Sequence, residues 1–325
     1  MTETFSSDRI GIVINPNAKR VRKMLKKRKY FWEEFFEESK VEITPDIPAI
    51  PAALERLKAQ DIQVLAVYGG DGTLQRTITA AAGVWGAENI PPVLVLKGGT
   101  ANALVKNMGI RKKARNYLRY FYKTLTQEKY HKVEIFEVPM LKVVEEDTGI
   151  VNYGFIFANG LVYKSIVQFH EVESPGAWQT FKVGIYPVIA YYLGLKSGKN
   201  YFQSPTMTVN IDGKTEFTAP VNVALLSTLK KLILWYAPFT GSIVGTDGFY
   251  GLINYMDLDE LFDHFLGLAR GKYQSEQNIN QVMRDVLIKT DLGYMLDGEL
   301  FEKKAPYTLR ITRGISLKTV ILPVI

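Results

Sequence analysis

Three short stretches carry residues whose types and spacing suit phosphate chemistry. In VYGGDGTLQ, from Val67 to Gln75, an apolar run breaks into Gly69, Gly70, Asp71, Gly72 and Thr73. Glycines bare backbone N–H groups to an approaching anion and permit positive φ. Thr73 suits the cap of a following helix, whose positive end favours phosphate. A carboxylate in such a loop repels phosphate unless Asp71 holds magnesium or handles a proton, which sets the stretch apart from a mere tight turn. It is neither a GxGxxG fingerprint nor a Walker A loop, since Gly-Lys-Ser/Thr is missing. A second loop, Lys97-Gly98-Gly99-Thr100-Ala101-Asn102, again follows an apolar run and opens a helical pattern. The third stretch is Asp297-Gly298-Glu299 in GYMLDGELFEKK. Asp-Gly is commonly a hairpin turn; as a pair of carboxylates, one can accept a proton while the other orients it or binds metal.

The elements that must position these residues alternate in the first third of the chain. Arg9–Asn15, Gln63–Tyr68 and Pro92–Leu96 read as short strands, each followed by turn residues. Lys19–Glu38, Ala52–Ala59 and Leu74–Ala82 read as helices between or after them. Near-continuous apolar strands alternating with helices predict a parallel sheet covered on both faces. Ligands of such sheets bind at the carboxyl ends of the strands. Asn15-Pro16-Asn17 and both glycine loops fall at such ends, so one composite site is expected. Beyond about His131 come strand-like segments, several in direct succession: Val133–Val144, Gly149–Ala158, Thr206–Ile211, Val221–Leu226 and Gly251–Tyr255, with Tyr307–Thr312 and Ser316–Leu322 finishing the chain. Asp212-Gly213 predicts a hairpin turn, and helical insertions are expected around Phe181–Leu195 and Leu258–Arg270. This half reads as an antiparallel β-rich domain.

The 325 residues suffice for two domains, and 47% apolar with 22% charged residues exclude bulk disorder. The absence of cysteine excludes disulfides and thiolate zinc sites. His131, His170 and His264 show no metal-ligand spacing. The polar start MTETFSSDRIG lacks the order of a secretory signal, and no apolar run is long enough to span a bilayer; a soluble, cytoplasmic protein is expected. The net charge is +7, and Lys19–Lys29 (KRVRKMLKKRK) holds eight basic residues in eleven, running into Tyr30, Phe31, Trp32, Phe35 and Phe36. Lys19–Phe36 is either a solvated helix with a core-facing stripe or a patch for an anionic membrane surface. No recognition motif for nucleic acid accompanies the charge.

Taken together, Asn15-Pro16, GGDGT at 69–73, GGTAN at 98–102 and DGE at 297–299 resemble, in that order, the diacylglycerol kinase catalytic-domain family, which includes bacterial diacylglycerol and related lipid kinases and the sphingosine and ceramide kinases. Asp247-Gly248-Phe249 is similar to a strand start of bacterial members, and Ala190–Leu195 (AYYLGL) to their mid-domain helix. The resemblance spans essentially the whole chain. It implies an α/β ATP-binding domain over 1–132, rejoined by 313–325, and a larger antiparallel β-sandwich domain over 133–312 that receives the lipid, with the chemistry in the cleft between them. Carried over residue by residue, it implies nucleotide contacts at Asn15, Thr44, Gly69, Gly70, Asp71, Gly72, Thr73 and Thr100. It implies catalytic roles for Asp71, Asp297 and Glu299, one of the last two being a proton acceptor. It also implies an accessory magnesium site at Asp247 with the backbone oxygens of Val244 and Phe249. The expected reaction is transfer of the γ-phosphate of ATP, with Mg2+, to a lipid hydroxyl such as that of diacylglycerol or a sphingoid base, with Lys19–Phe36 docking the enzyme on the membrane.

One departure concerns the lipid. Many bacterial members follow the second glycine loop with Asn-Asp-Phe-Ala-Arg, whereas this chain reads Asn102-Ala103-Leu104-Val105-Lys106. Asn-Ala is closer to sphingosine and ceramide kinases, so the acceptor stays open, as does oligomeric state, a homodimer included. Two other protein classes share parts of this pattern. NAD kinase shares GGDGT but typically has a downstream Asn-Glu dipeptide, which this chain lacks. A non-catalytic lipid-binding protein on the same fold is expected to have lost its acidic residues, and three of the four remain.

Overall fold

The computed structural model describes residues 5–27, 30–99, 103–110, 112–126, 133–170, 203–232, 236–303 and 306–322. The chain divides into two compact units, Met1–Met140 with Gly314–Ile325, and Leu141–Arg313. The expected helix at Phe181–Leu195, AYYLGL included, lies outside the described residues.

The first unit is built on parallel strands β1 (Ile10–Ile14), β2 (Val41–Ile43), β3 (Val64–Gly69) and β4 (Val93–Lys97). Every residue of β1 and β3 is buried, as unbroken apolar strands covered on both faces must be. Ile12 pairs with Val41 on one side and Ala66 on the other, and Leu65 with Val93, which gives the order β2-β1-β3-β4. The helices are α1 (Lys19–Leu25), α2 (Ala49–Ala59), α3 (Asp71–Trp85), α4 (Ala103–Asn107) and α5 (Ala114–Thr126). They cover the sheet with Leu54 and Leu57, Leu74 and Ile78, and Leu118 and Phe121, all buried. The segment Gly314–Ile321 adds a further parallel strand beside β4, with Thr319 opposite Val93. It is fastened by the Thr319 hydroxyl donating to Phe136 O at 2.9 Å and by Tyr117, whose phenol burial pushes up to about 12.

Two expectations are corrected here. The helix expected over Lys19–Glu38 stops at Leu25, and short 3-10 turns follow at Phe31–Glu34 and Glu38–Lys40. A continuous helix would have stacked Arg22 on Lys26 and Lys23 on Lys27, like charges at i,i+4. The turns instead send Phe31, Trp32 and Phe36 into the core, Phe31 and Trp32 against Tyr68 and Phe36 against Tyr122. The aromatic half of the basic-aromatic stretch is therefore largely core. In the second correction, α3 starts at Asp71 rather than Leu74, so most of GGDGT is the first helical turn.

The second unit is an antiparallel sandwich. Its strands are β5 (Glu134–Glu145, which begins in the first unit), β6 (Ile150–Gly154), β7 (Ile156–Gly160), β8 (Thr206–Ile211), β9 (Thr215–Pro220), β10 (Val223–Ser227), β11 (Phe249–Asn254), β12 (Asn278–Met283), β13 (Asp285–Thr290), β14 (Tyr294–Leu296), β15 (Glu299–Phe301) and β16 (Tyr307–Ile321, whose first half belongs here). One layer pairs β9-β8-β13-β16 and β5-β6; the other runs β12-β11-β10-β7-β14-β15. Residues from both layers share one core, among them Val209, Val286 and Leu309 from the first and Phe157, Leu226, Ile253 and Leu296 from the second. The helix α6 (Leu161–His170) follows β7, and the insertion expected over Leu258–Arg270 is two short helices, Leu258–Asp263 and Phe265–Ala269. Asp212 and Gly213, at φ 54° and 66°, make the expected β8–β9 hairpin turn.

A buried polar network braces β14 and β15. Glu145 is 3% exposed and accepts from Lys303 Nζ at 2.6 Å, from the Thr148 hydroxyl at 3.1 Å and from the Tyr294 phenol at 3.2 Å. Burial first, and then this carboxylate, drive the Tyr294 phenol far above the ordinary tyrosine range. Removing one partner of a buried ion pair strands the other charge. Lys303→Met is therefore expected to lower stability by about 3 kcal/mol, the low end for such pairs because the lysine side chain is 26% exposed. Adding Glu145→Gln should restore most of it, as read from urea midpoints.

Candidate active site

In the first unit the chain passes from β1 to β2 on one side and later places β3 on the other, so the sheet reverses its winding between β1 and β3. Ligands of open α/β sheets sit in the crevice at this switch point, outside the carboxyl ends of the strands. Asn15 follows β1, Thr44 follows β2, Gly70 follows β3 and Gly98 follows β4. Hydrogen bonds tie these ends together. Asn15 N donates to Tyr68 O at 3.1 Å, and its side-chain amide donates to the Thr73 hydroxyl at 2.8 Å. The same hydroxyl accepts from Gly70 N at 3.3 Å, closing the first turn of α3 on its own cap. Thr44, buried, donates its backbone N–H to Ile14 O at 2.9 Å. Asn15, Thr44 and Gly69–Thr73 are thus brought together; Thr100 lies outside the described residues.

The glycines are needed for a reason other than positive φ, since Gly69, Gly70 and Gly98 do not adopt it. They let β3 and β4 end against each other. Gly98 N donates to Gly69 O at 2.8 Å, and a Cβ on Gly98 would lie 2.8 Å from Gly69 Cα. A Cβ on Gly69 would strike Thr73 at 2.4 Å, and one on Gly70 would meet Gly99 Cα at 3.4 Å. Bare backbone therefore lies beside the N-terminus of a 15-residue helix, where the helix dipole favours an anion. These residues fit a phosphate group. Asp71, half-buried, is the acidic residue of that first turn.

Nothing in the residue pattern marks Arg20 as part of this region, because it is one of eight cations in a run. Its backbone N–H donates to Gly98 O at 3.0 Å, which ties the start of α1 to the second glycine loop. The side chains of Lys19, Arg20, Arg22, Lys23, Lys26 and Lys27 are exposed, while Val21 turns to the core.

In the second unit Asp297-Gly298 is a hairpin turn, with φ of 53° and 90°. It joins β14 to β15 in the register Leu296 opposite Glu299. The Asp297 carboxylate accepts from Phe155 N at 3.0 Å and Ile156 N at 2.9 Å. Glu299 is half-buried at the start of β15. Hairpin turn and paired carboxylates thus coexist in one tripeptide.

Asp247, Val244 and Phe249, the residues expected to hold an accessory cation, lie at and before the start of β11. Phe249 is buried in β11, and Val244 is 87% exposed. Asp247 accepts from Arg284 Nε at 2.6 Å, and this guanidinium holds its carboxyl below the ordinary range. A divalent ion at Asp247 has to compete with that cation. Among the described residues no group of three or more His, Asp or Glu side chains is arranged to hold a metal ion.

Residues 9–138 match the family model of the diacylglycerol kinase catalytic domain. The resemblance carried by Asn15-Pro16 and the two glycine loops is borne out over those residues; Asp247 and the Asp297-Gly298-Glu299 turn lie beyond them. No curated protein matches the sequence. Among solved structures, one of a diacylglycerol kinase from Bacillus anthracis str. Sterne superposes with a TM-score of 0.62 at 14% identity, covering 97% of this chain and 98% of that one. Another structure from that organism, described only as that of a candidate diacylglycerol kinase, gives 0.64 at 13% identity over 97% and 98%. At such identities the likeness is one of fold, and it extends over both units.

The close approach of Gly69 and Gly98 yields one prediction and the Asp247–Arg284 ion pair another. Gly98→Ala is expected to force the ends of β3 and β4 apart and to lower Tm by several degrees, as read from thermal melts. Arg284→Ala should create a magnesium-dependent rise in Tm, without nucleotide, that the parent protein does not show.

Proposed function

We propose that the protein is an ATP-dependent lipid kinase that transfers the γ-phosphoryl group to a lipid hydroxyl. The observation that carries this reading is the match of residues 9–138 to the diacylglycerol kinase catalytic domain, over the strand ends that converge on Asn15 and Thr73. Phosphoryl transfer asks for positioning and charge neutralisation more than for covalent help. The backbone of Gly69, Gly70 and Gly98 and the first turn of α3 hold the nucleotide phosphates, while Asn15 and Thr44 line the neighbouring strand ends. Magnesium, when bound with ATP, neutralises phosphate charge; such ions take one or two carboxylates plus the phosphates themselves, and Asp71 is the residue that would hold it. Asp297-Gly298-Glu299 supplies the carboxylates for the lipid hydroxyl. The exposed cations of α1 draw the enzyme to anionic membrane surfaces by charge, without the aromatic anchors that the core retains.

The test is a radiolabelled-ATP assay over vesicles containing diacylglycerol, a sphingoid base or ceramide in turn. One of these lipids is expected to acquire label, and Asp71→Ala to remove at least 100-fold of that activity with Tm unchanged. Saturable lipid binding without ADP formation on any member of the panel would replace the reading with that of a non-catalytic lipid-binding protein.

A further inference from the structure

We infer that Asn17 is a positioning residue for the nucleotide, holding the loop after β2 against the end of β1 so that Thr44 is in place when a nucleoside triphosphate arrives. The inference rests on the reading of the first unit as an ATP site.

The segment from Asn15 to Arg20 reaches the ends of all three neighbouring strands. Asn15 N donates to Tyr68 O in β3, and Arg20 N to Gly98 O just past β4. Asn17 makes the contact with the end of β2: its side-chain amide donates to Pro45 O at 2.7 Å. The residue is set in place by Asn15, whose Oδ1 accepts from Asn17 N at 2.8 Å while its own amide donates to the Thr73 hydroxyl. One row of hydrogen bonds therefore runs from Pro45 through Asn17 and Asn15 to Thr73 and Gly70.

The loop after β2 needs such a tether. β2 has three residues and lies at the edge of the sheet. Its last bond to β1 is from Thr44 N to Ile14 O at 2.9 Å; at 3.4 Å the Thr44 hydroxyl makes only a weak contact with the same oxygen. Pro45 and Pro48 have no N–H to offer. The first N–H groups of α2 close on the loop itself, Ala49 N on Asp46 Oδ1 and Ile50 N on Ile47 O. Among the described residues, the loop over 45–48 takes one hydrogen bond from the end of another strand, the one from Asn17.

Asn17 and residues 45–48 are exposed. Water replaces the bond when it is broken, so the folded state loses little without it. What falls is the fraction of molecules whose loop is already in place, and a ligand's apparent affinity is reduced by that fraction. Once ATP is bound, it holds the loop itself, and phosphoryl transfer proceeds at the parent rate. Asn17 therefore acts on nucleotide affinity through Thr44, and on neither the chemical step nor the stability of the fold.

The test compares the parent with Asn17→Ala and the near-isosteric Asn17→Leu by calorimetric titration with ATP, by kinase assay and by thermal melting. Both variants are expected to bind ATP about tenfold more weakly and to raise KM for ATP by the same factor, with kcat and Tm unchanged. In a Thr44→Val background, Asn17→Ala is expected to weaken ATP binding by at most about twofold more, since the tether acts through that residue. Parent affinity in both Asn17 variants overturns the proposal, and so does an undiminished effect in the Thr44→Val background. A fall in kcat at unchanged KM overturns it too, because that marks a contact made only in the transition state. A Tm lowered by several degrees makes Asn17 a part of the scaffold instead. Failure of the underlying reading looks different: the parent itself then takes up no ATP in the calorimeter, and the proposal falls with it. Should ATP bind while no lipid acquires label, the calorimetric arm alone decides.

Discussion

The first unit depends on one close approach, that of Gly69 to Gly98. A hydrogen bond of 2.8 Å joins the ends of two neighbouring parallel strands at a point where neither residue has a side chain. Because no Cβ intervenes, the following segments leave the sheet as bare backbone, and α3 can begin at once, at Asp71. Thr73 then bonds back to Gly70 and across to Asn15, so that β1, β3 and α3 share one hydroxyl. The anion-favouring end of a helix, the switch point of the sheet and an acidic residue are superimposed by this contact rather than by separate devices.

The second unit solves a different problem with a carboxylate. A sandwich of two layers has to let strands change layer, and each change exposes main-chain donors inside a low-dielectric core where they are costly to leave unpaired. The Asp297 side chain answers for two of them. The same tripeptide that reads in sequence as a catalytic pair is therefore also a structural part, and substitutions there mix the two effects unless stability and chemistry are measured separately.

Much of this was legible in the sequence. The strands β1, β3 and β4 were, because unbroken apolar runs followed by turn residues have few other meanings, and Thr206–Ile211 matched to the residue because Asp212-Gly213 fixes its end. The convergence of Asn15 with GGDGT followed from strand ends alone. Other features were not legible. β14 and β15 have three residues each, too short for a period-two pattern, and show themselves only through the turn between them. The break after Leu25 escaped because the aromatic residues that follow keep a helical spacing while their burial depends on Tyr68 and Tyr122, distant in sequence. The pairing of Asp247 with Arg284, and of Glu145 with Lys303, joins residues 37 and 158 positions apart, which no local pattern encodes.

The strand Tyr307–Ile321 also bears on how the protein is made. Its second half completes the parallel sheet of the first unit, yet it leaves the ribosome only after the entire second unit has been synthesised. The nascent first unit must wait with the flank of β4 uncovered, and an uncovered strand edge is a template for pairing with other chains. Cotranslational folding of this protein is then a race between completion and misassembly, in which the second unit, inserted whole between residues 140 and 314, can fold first.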